Sequence, residues 1–238
     1  MRNSIKSKRF FMMSSTKTTF LLPLCAALTC SFVFAQDHKS WSDYGGGPDT
    51  SRYTALDQIT KSNVKQLVPA WTYFNGSSIM NPVIAHDVMY VYGRNNSIIA
   101  LDAATGKEIW IHTGLSSIAT LGVNYWESKD GKDQRLIFQI NHFLEEIDAR
   151  TGKSILNVGN KGLIELRDDL DRIPDQVARI KSDTPGRVFE NMIIVGAATG
   201  ESFLAPPGHI KAFDIITGKM VWIFPFESQL ADRPDSGY

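Results

Sequence analysis

One phrase recurs three times along this chain, and it restricts the fold more than any other feature. An apolar run leads into Asp, two further residues, Thr-Gly-Lys and a second apolar stretch. The copies are Ile98 to Leu101 with Asp102, Thr105, Gly106, Lys107 and Trp110; Leu144 to Ile147 with Asp148, Thr151, Gly152, Lys153 and Leu156; and Ile210 to Phe213 with Asp214, Thr217, Gly218, Lys219 and Trp222. Self-similarity spaced by roughly 45 to 65 residues signals a repeat architecture. Within each copy the Asp side chain can accept backbone N–H bonds in a tight turn, and Gly supplies positive φ. The flanking β-branched residues favour a pleated surface. Each copy therefore reads as strand, turn, strand. One hairpin cannot bury its own faces, whereas four-stranded units arranged around an axis can, so the expected fold is an all-β β-propeller.

The rest of the chain fits that rhythm. A glycine-rich and aromatic segment, Trp41 to Tyr53, reads as a loop folded over a surface. A helical turn is expected after Thr60, capped by Ser62 or Asn63, and Leu67 to Tyr73 reads as a strand with Pro69 at its entry or edge. A hairpin is expected around His86-Asp87, and one blade is nearly complete between residues 78 and 113. The second unit runs from Gly122 through Arg135 to Gln139 and on to Leu156. The charged stretch Gly162 to Pro185 reads as an inter-blade loop with a short helix around Asp175 to Ile180, and the third unit begins at Val188. About three blades are thus encoded, fewer than the four to eight that close a propeller. The expectation is the front part of a larger propeller.

Residues 1–35 stand apart from fold reasoning. Arg2, Lys6, Lys8, Arg9 and Lys17 form a basic region, the run Phe20 to Ala35 is apolar, and Val33-Phe34-Ala35 places small residues where a signal peptidase reads them. A cleavable export signal is expected, with a single-span anchor as the alternative, although the run is short for one. Both cysteines, Cys25 and Cys30, fall inside this segment, so the chain from Gln36 carries no thiol for a disulfide, a thiolate metal site or a cysteine nucleophile. Lys plus Arg and Asp plus Glu each number 25, giving zero formal net charge. That balance disfavours nucleic acid as a partner. The five histidines, His38, His86, His112, His142 and His209, follow no metal-ligand spacing and read as surface or turn residues. Gly45-Gly46-Gly47 is a turn cluster, since no strand leads into it and no helix follows.

Three segments together resemble the quinoprotein dehydrogenases, exported enzymes that oxidise sugars or alcohols with pyrroloquinoline quinone. They are the opening Trp41 to Tyr73, the motif Gly122-Val123-Asn124-Tyr125-Trp126, and Pro206-Pro207-Gly208-His209-Ile210-Lys211-Ala212-Phe213-Asp214. The likeness covers essentially the whole of residues 36–238, read as one propeller domain, and is nearest to the glucose and alcohol dehydrogenase branch. It implies an eight-bladed propeller whose blades dock through Trp71, Trp110 and Trp222. It also implies a quinone near the propeller axis beside a divalent cation, usually calcium, which takes oxygen ligands and acts as a Lewis acid. A quinone or cytochrome electron acceptor and a periplasmic or secreted location follow from the same likeness.

On this resemblance Glu201 is the candidate metal ligand, with an ordinary loop carboxylate as the alternative, and Asn124 and Trp126 lie on the segment that approaches the quinone. The alternative reading of Trp126 is a core aromatic. The resemblance places the catalytic base, a ligand Asn and the Trp beneath the quinone after residue 238, so no catalytic residue is assigned within the chain. Two positions depart from the family pattern. Leu121 stands where an Arg would bond the quinone, and Ile79 stands where Glu or Gln is usual. Neither aliphatic side chain can replace a hydrogen-bonding group. A non-catalytic propeller serving as a protein-binding scaffold is therefore the alternative to a dehydrogenase fragment that is inactive alone.

Cleavage after Ala35 is testable directly. Mass spectrometry of the exported product should find Gln36, free or cyclised, as its first residue; an intact Met1 on a cytoplasmic product would reject the export signal.

Overall fold

The computed structural model describes residues 40–47, 49–76, 80–119, 121–170, 177, 180, 182–198 and 207–225. The expected export segment 1–35, Ile79, Glu201 and most of the helix expected around 175–180 lie outside the described residues.

Among the described residues, twelve strands form three antiparallel four-stranded sheets. The first contains β1 (Val83–Ala85), β2 (Val88–Gly93), β3 (Ser97–Asp102) and β4 (Glu108–His112). The second contains β5 (Asn124–Glu127), β6 (Gln134–Ile140), β7 (Phe143–Asp148) and β8 (Leu163–Glu165). The third contains β9 (Arg187–Phe189), β10 (Met192–Gly196), β11 (Ile210–Asp214) and β12 (Met220–Phe224). Every sheet is a meander in chain order. The leading strands β1, β5 and β9 neighbour one another from sheet to sheet, which makes them the inner strands of three successive blades.

The repeated phrase builds the same turn each time. Asp102 Oδ1 accepts from the Thr105 backbone N–H at 2.8 Å and its hydroxyl at 2.7 Å. Asp148 and Asp214 hold Thr151 and Thr217 in the same way, at 2.9 and 3.0 Å and at 2.8 and 2.6 Å. Each Asp also receives the Gly N–H on its own carbonyl at 2.8 Å. The Gly residues have φ of +71, +69 and +72°, a region in which side chains are strained.

Close approach gives a second reason for Gly here. A Cβ on Gly106 would sit 2.5 Å from Trp71 Cε3, and one on Gly152 would sit 2.6 Å from Trp110 Cε3. Each indole lies against the turn of the following unit and donates Nε1–H to the carbonyl after the Asp. Trp71 reaches Ala103 O and Trp110 reaches Ala149 O, both at 3.1 Å. The docking role of these two residues is thus explicit. Trp222 occupies the position equivalent to Trp110, paired with Ala212 as Trp110 is with Ala100, and is 38% exposed.

Apolar side chains fill the spaces between blades. Val83, Tyr90, Ile98, Leu136, Phe138 and Ile147 belong to a core between the first and second blades. Ile137, Leu144, Val158, Ile164, Ile193 and Phe213 belong to one between the second and third. Among the described residues no helix is long and apolar enough to cross a membrane.

Two local expectations are corrected. Leu67 to Tyr73 forms no strand, because among the described residues this stretch finds no ladder partner; it contributes Trp71 as an anchor. The outer strand of the second blade is not Lys153 to Leu156. After one bridge, Ile147 to Ser154, the chain leaves the sheet with Leu156 68% exposed and returns as β8, which pairs Leu163 to Glu165 with β7. The 3-10 turn Val64–Gln66 after Asn63 and the His86-Asp87 hairpin turn, with φ of +49 and +62°, are as expected.

Trp110→Ala should lower the unfolding free energy by roughly 3–5 kcal/mol, as for other large core truncations. Gly152→Ala should also destabilise, through the clash with the same indole and the strained φ. Urea denaturation checks both; an unchanged midpoint in either variant would refute the indole-on-glycine contact.

Candidate functional site

The motif that points to a cofactor lies where the second and third blades begin. Gly122 has φ of +148°, and an added Cβ would make ordinary van der Waals contact with Asn81 O and Tyr44 Cδ2, both at 3.5 Å, and with Pro185 Cγ at 4.0 Å. Backbone bonds tie the surrounding segments together. Asn81 N–H donates to Leu121 O at 3.4 Å, and Leu121 N–H donates to Asp183 O at 3.0 Å. The buried Tyr92 hydroxyl donates to Ala119 O and reaches Gly122 O at 3.0 Å. Burial pushes that phenol well above its ordinary pKa, so it acts as a neutral donor.

Asn124 and Trp126 face the seam with the third blade. Asn124, 1% exposed, donates Nδ2–H to Pro185 O at 2.5 Å. Trp126, 4% exposed, donates Nε1–H to Glu190 O at 2.9 Å. The Arg135 guanidinium lies 5.5 Å from the Trp126 ring centroid, within cation–π reach. A side-chain N–H of each residue is therefore engaged with the backbone that leads into and out of β9. The third sequence candidate, Glu201, lies outside the described residues, and among the described residues no three His, Cys, Asp or Glu side chains gather around a metal position.

A cation close to this rim is Arg187, which bonds Asp43 Oδ1 at 3.3 Å and Gly47 O at 3.5 Å. Burial raises the Asp43 carboxyl pKa, although Arg187 pulls in the opposite direction. Pyrroloquinoline quinone carries three carboxylates and requires several donors or cations around it. Leu121 offers no polar side-chain atom, Asn124 donates to Pro185, and Arg187 pairs with Asp43. The described residues do not by themselves complete a pocket that fits this cofactor.

A cleft of about 690 Å³ lies at the other end of the inner strands, lined by Trp41, Leu56, His86, Tyr125 and Glu127 among others. Glu127 Oε2 accepts from Tyr125 Oη at 2.6 Å and lies 2.5 Å from His86 Nε2. Those two bonds hold the Glu127 carboxyl below its usual pKa, Tyr125 contributing most. Sequence spacing gives no sign of this trio, because the packing of one blade beside the next, not a short motif, brings residues 41 positions apart together.

The family model for the glucose/ethanol/alcohol dehydrogenase β-propeller domain, named for pyrroloquinoline quinone, matches residues 41–237. Quinoprotein glucose dehydrogenase of Gluconobacter oxydans is 28% identical over 236 residues, covering 82% of this chain and 28% of that protein. The dehydrogenase subunit of the quinone-linked alcohol dehydrogenase of Gluconacetobacter polyoxogenes is 29% identical over 228 residues, covering 87% of this chain and 28% of the relative. The crystal structure of the quinohemoprotein alcohol dehydrogenase of Comamonas testosteroni superimposes with a TM-score of 0.59 at 24% identity, covering 80% of this chain and 28% of that one, a likeness of fold. The chain thus spans little more than a quarter of the length of the relatives it matches. Its repeats, its three blades and the family match agree: the chain belongs to the pyrroloquinoline quinone β-propeller family of glucose, ethanol and alcohol dehydrogenases.

Proposed function

We propose that residues 41–225 supply three blades of a quinone-dependent dehydrogenase that oxidises a sugar or an alcohol, and that these blades are inactive alone. The observation that carries this reading is the family match across residues 41–237, supported by relatives named as quinoprotein glucose and quinone-linked alcohol dehydrogenases. Under it Glu201 contributes an oxygen ligand to a calcium ion, and the electron acceptor is a quinone or a cytochrome. Export through residues 1–35 delivers the protein to the periplasm. Asn124 and Trp126 act on the site by fixing the start of the third blade against the second, which holds the Gly122 rim in shape. The remaining cofactor contacts come from outside the described residues, and no chemical step is assigned to this chain.

Two measurements test the proposal. The purified chain with pyrroloquinoline quinone and calcium should neither reduce a dye with glucose or ethanol nor gain in Tm. Turnover would overturn inactivity, because it requires a catalytic base within the chain. Replacing the matched quarter of the Gluconobacter oxydans glucose dehydrogenase with residues 41–225 should give a folded chimera with weak quinone-dependent dye reduction. Leu121→Arg in that chimera should raise it. A folded chimera that binds no quinone with either residue would overturn the dehydrogenase reading and favour a scaffold.

A further inference from the structure

The seam between the second and third blades lacks the indole that locks the other repeats. Aligning the three phrases places Glu146 where the first repeat has Ala100 and the third has Ala212. Each of those alanines pairs across the ladder with a tryptophan, Trp110 or Trp222. The second repeat has Leu156 where the others have that tryptophan, and its outer strand is β8. The acceptor is nevertheless satisfied. Ile215 O, the equivalent of Ala103 O and Ala149 O, receives Arg135 Nη1–H at 2.7 Å.

Arg135 is 5% exposed and Glu146 is 0% exposed. The same Nη1 meets Glu146 Oε2 at 2.8 Å, while Nε lies 2.9 Å from Asp133 Oδ1 and Nη2 lies 2.5 Å from Asp133 Oδ2. One guanidinium is therefore shared by two carboxylates. Glu146 Oε1 is the one buried side-chain nitrogen or oxygen among the described residues that has no hydrogen-bond partner. The charged groups facing Glu146 are Arg135 from β6, Asp133 from the β5–β6 turn and Asp214 from the turn of the third blade. With every carboxylate ionised the group carries surplus negative charge in a buried place, which is costly.

We propose that this seam is a proton-sensitive clamp: Arg135, held by Asp133, caps the Ile215 carbonyl in place of an indole, and Glu146 tightens the joint by binding one proton. Burial raises the Glu146 carboxyl to about 7, against an ordinary 4.5. The folded state holds this proton more firmly than the unfolded chain does. The stabilisation is therefore complete below about pH 4.5 and is lost as pH rises through about 7. The neighbouring Glu145 faces the first blade instead. Its Oε1 is 3.6 Å from His112 Nε2, and the Glu145 carboxylate raises the His112 pKa despite burial. That contact also weakens as pH rises through the raised histidine value, so a variant must separate the two.

The test uses the full chain and its Glu146→Gln variant, in which the carboxyl is replaced by a neutral group of the same size. Wild-type Tm minus variant Tm should fall by about 5 °C between pH 5.5 and pH 8. A difference that stays flat, or that grows with pH, would overturn the proposal. Infrared spectroscopy gives a second readout independent of unfolding: at pH 5.5 the wild type should show a protonated-carboxyl band that the variant lacks. Identical spectra in that region would also overturn it.

Discussion

The arrangement depends on one contact, an indole lying on a glycine. The glycine is needed twice over: its φ near +70° closes the Asp-Thr turn, and its missing Cβ leaves room for the ring. The indole N–H then satisfies a carbonyl that would otherwise be trapped between blades. Area burial and hydrogen bonding come from one side chain, which is the particular merit of tryptophan at such a joint. Sheets with one such contact on each side need few other specific interactions, and the spaces between them fill with Ile, Leu, Val and Phe.

Much of this was legible in the sequence because the determinant is local. Asp, Thr and Gly lie within five consecutive positions, so their spacing encodes the turn, and three copies encode three blades. The second outer strand was misread for the same reason. Ser154 to Leu156 follows its turn as Glu108 to Trp110 follows the first, yet leucine cannot donate to the Ile215 carbonyl, and the chain leaves the sheet. The partners of Asn124 and Trp126 were not legible, since each is a backbone carbonyl more than 60 residues away and carbonyls leave no mark in a sequence.

The doublet Glu145-Glu146 was a signal within reach. Two carboxylates interrupt an apolar run where the first repeat reads Ile99-Ala100. Strand alternation sends them to opposite faces, so one sheet places a buried acid against each neighbour. Glu145 answers with His112 and Ser154, while Glu146 answers with Arg135. The second blade is thus joined on both sides partly by charge, with geometry specified by hydrogen bonds that apolar packing alone does not supply.

The detour before β8 has a consequence for the order of assembly. Val158 and Gly159, on the excursion between Ser154 and Leu163, pack against the third turn; a Cβ on Gly218 would lie 2.7 Å from Gly159 N and 2.8 Å from Val158 Cγ1. The excursion is therefore part of the joint as well as a path to the outer strand. The first blade can present Trp110 as soon as the short hairpin of β3 and β4 closes, a local and fast event. The second blade can receive the third only after a longer loop has closed, which costs more chain entropy before any contact rewards it. The two joints therefore differ in the chain entropy that their closing consumes.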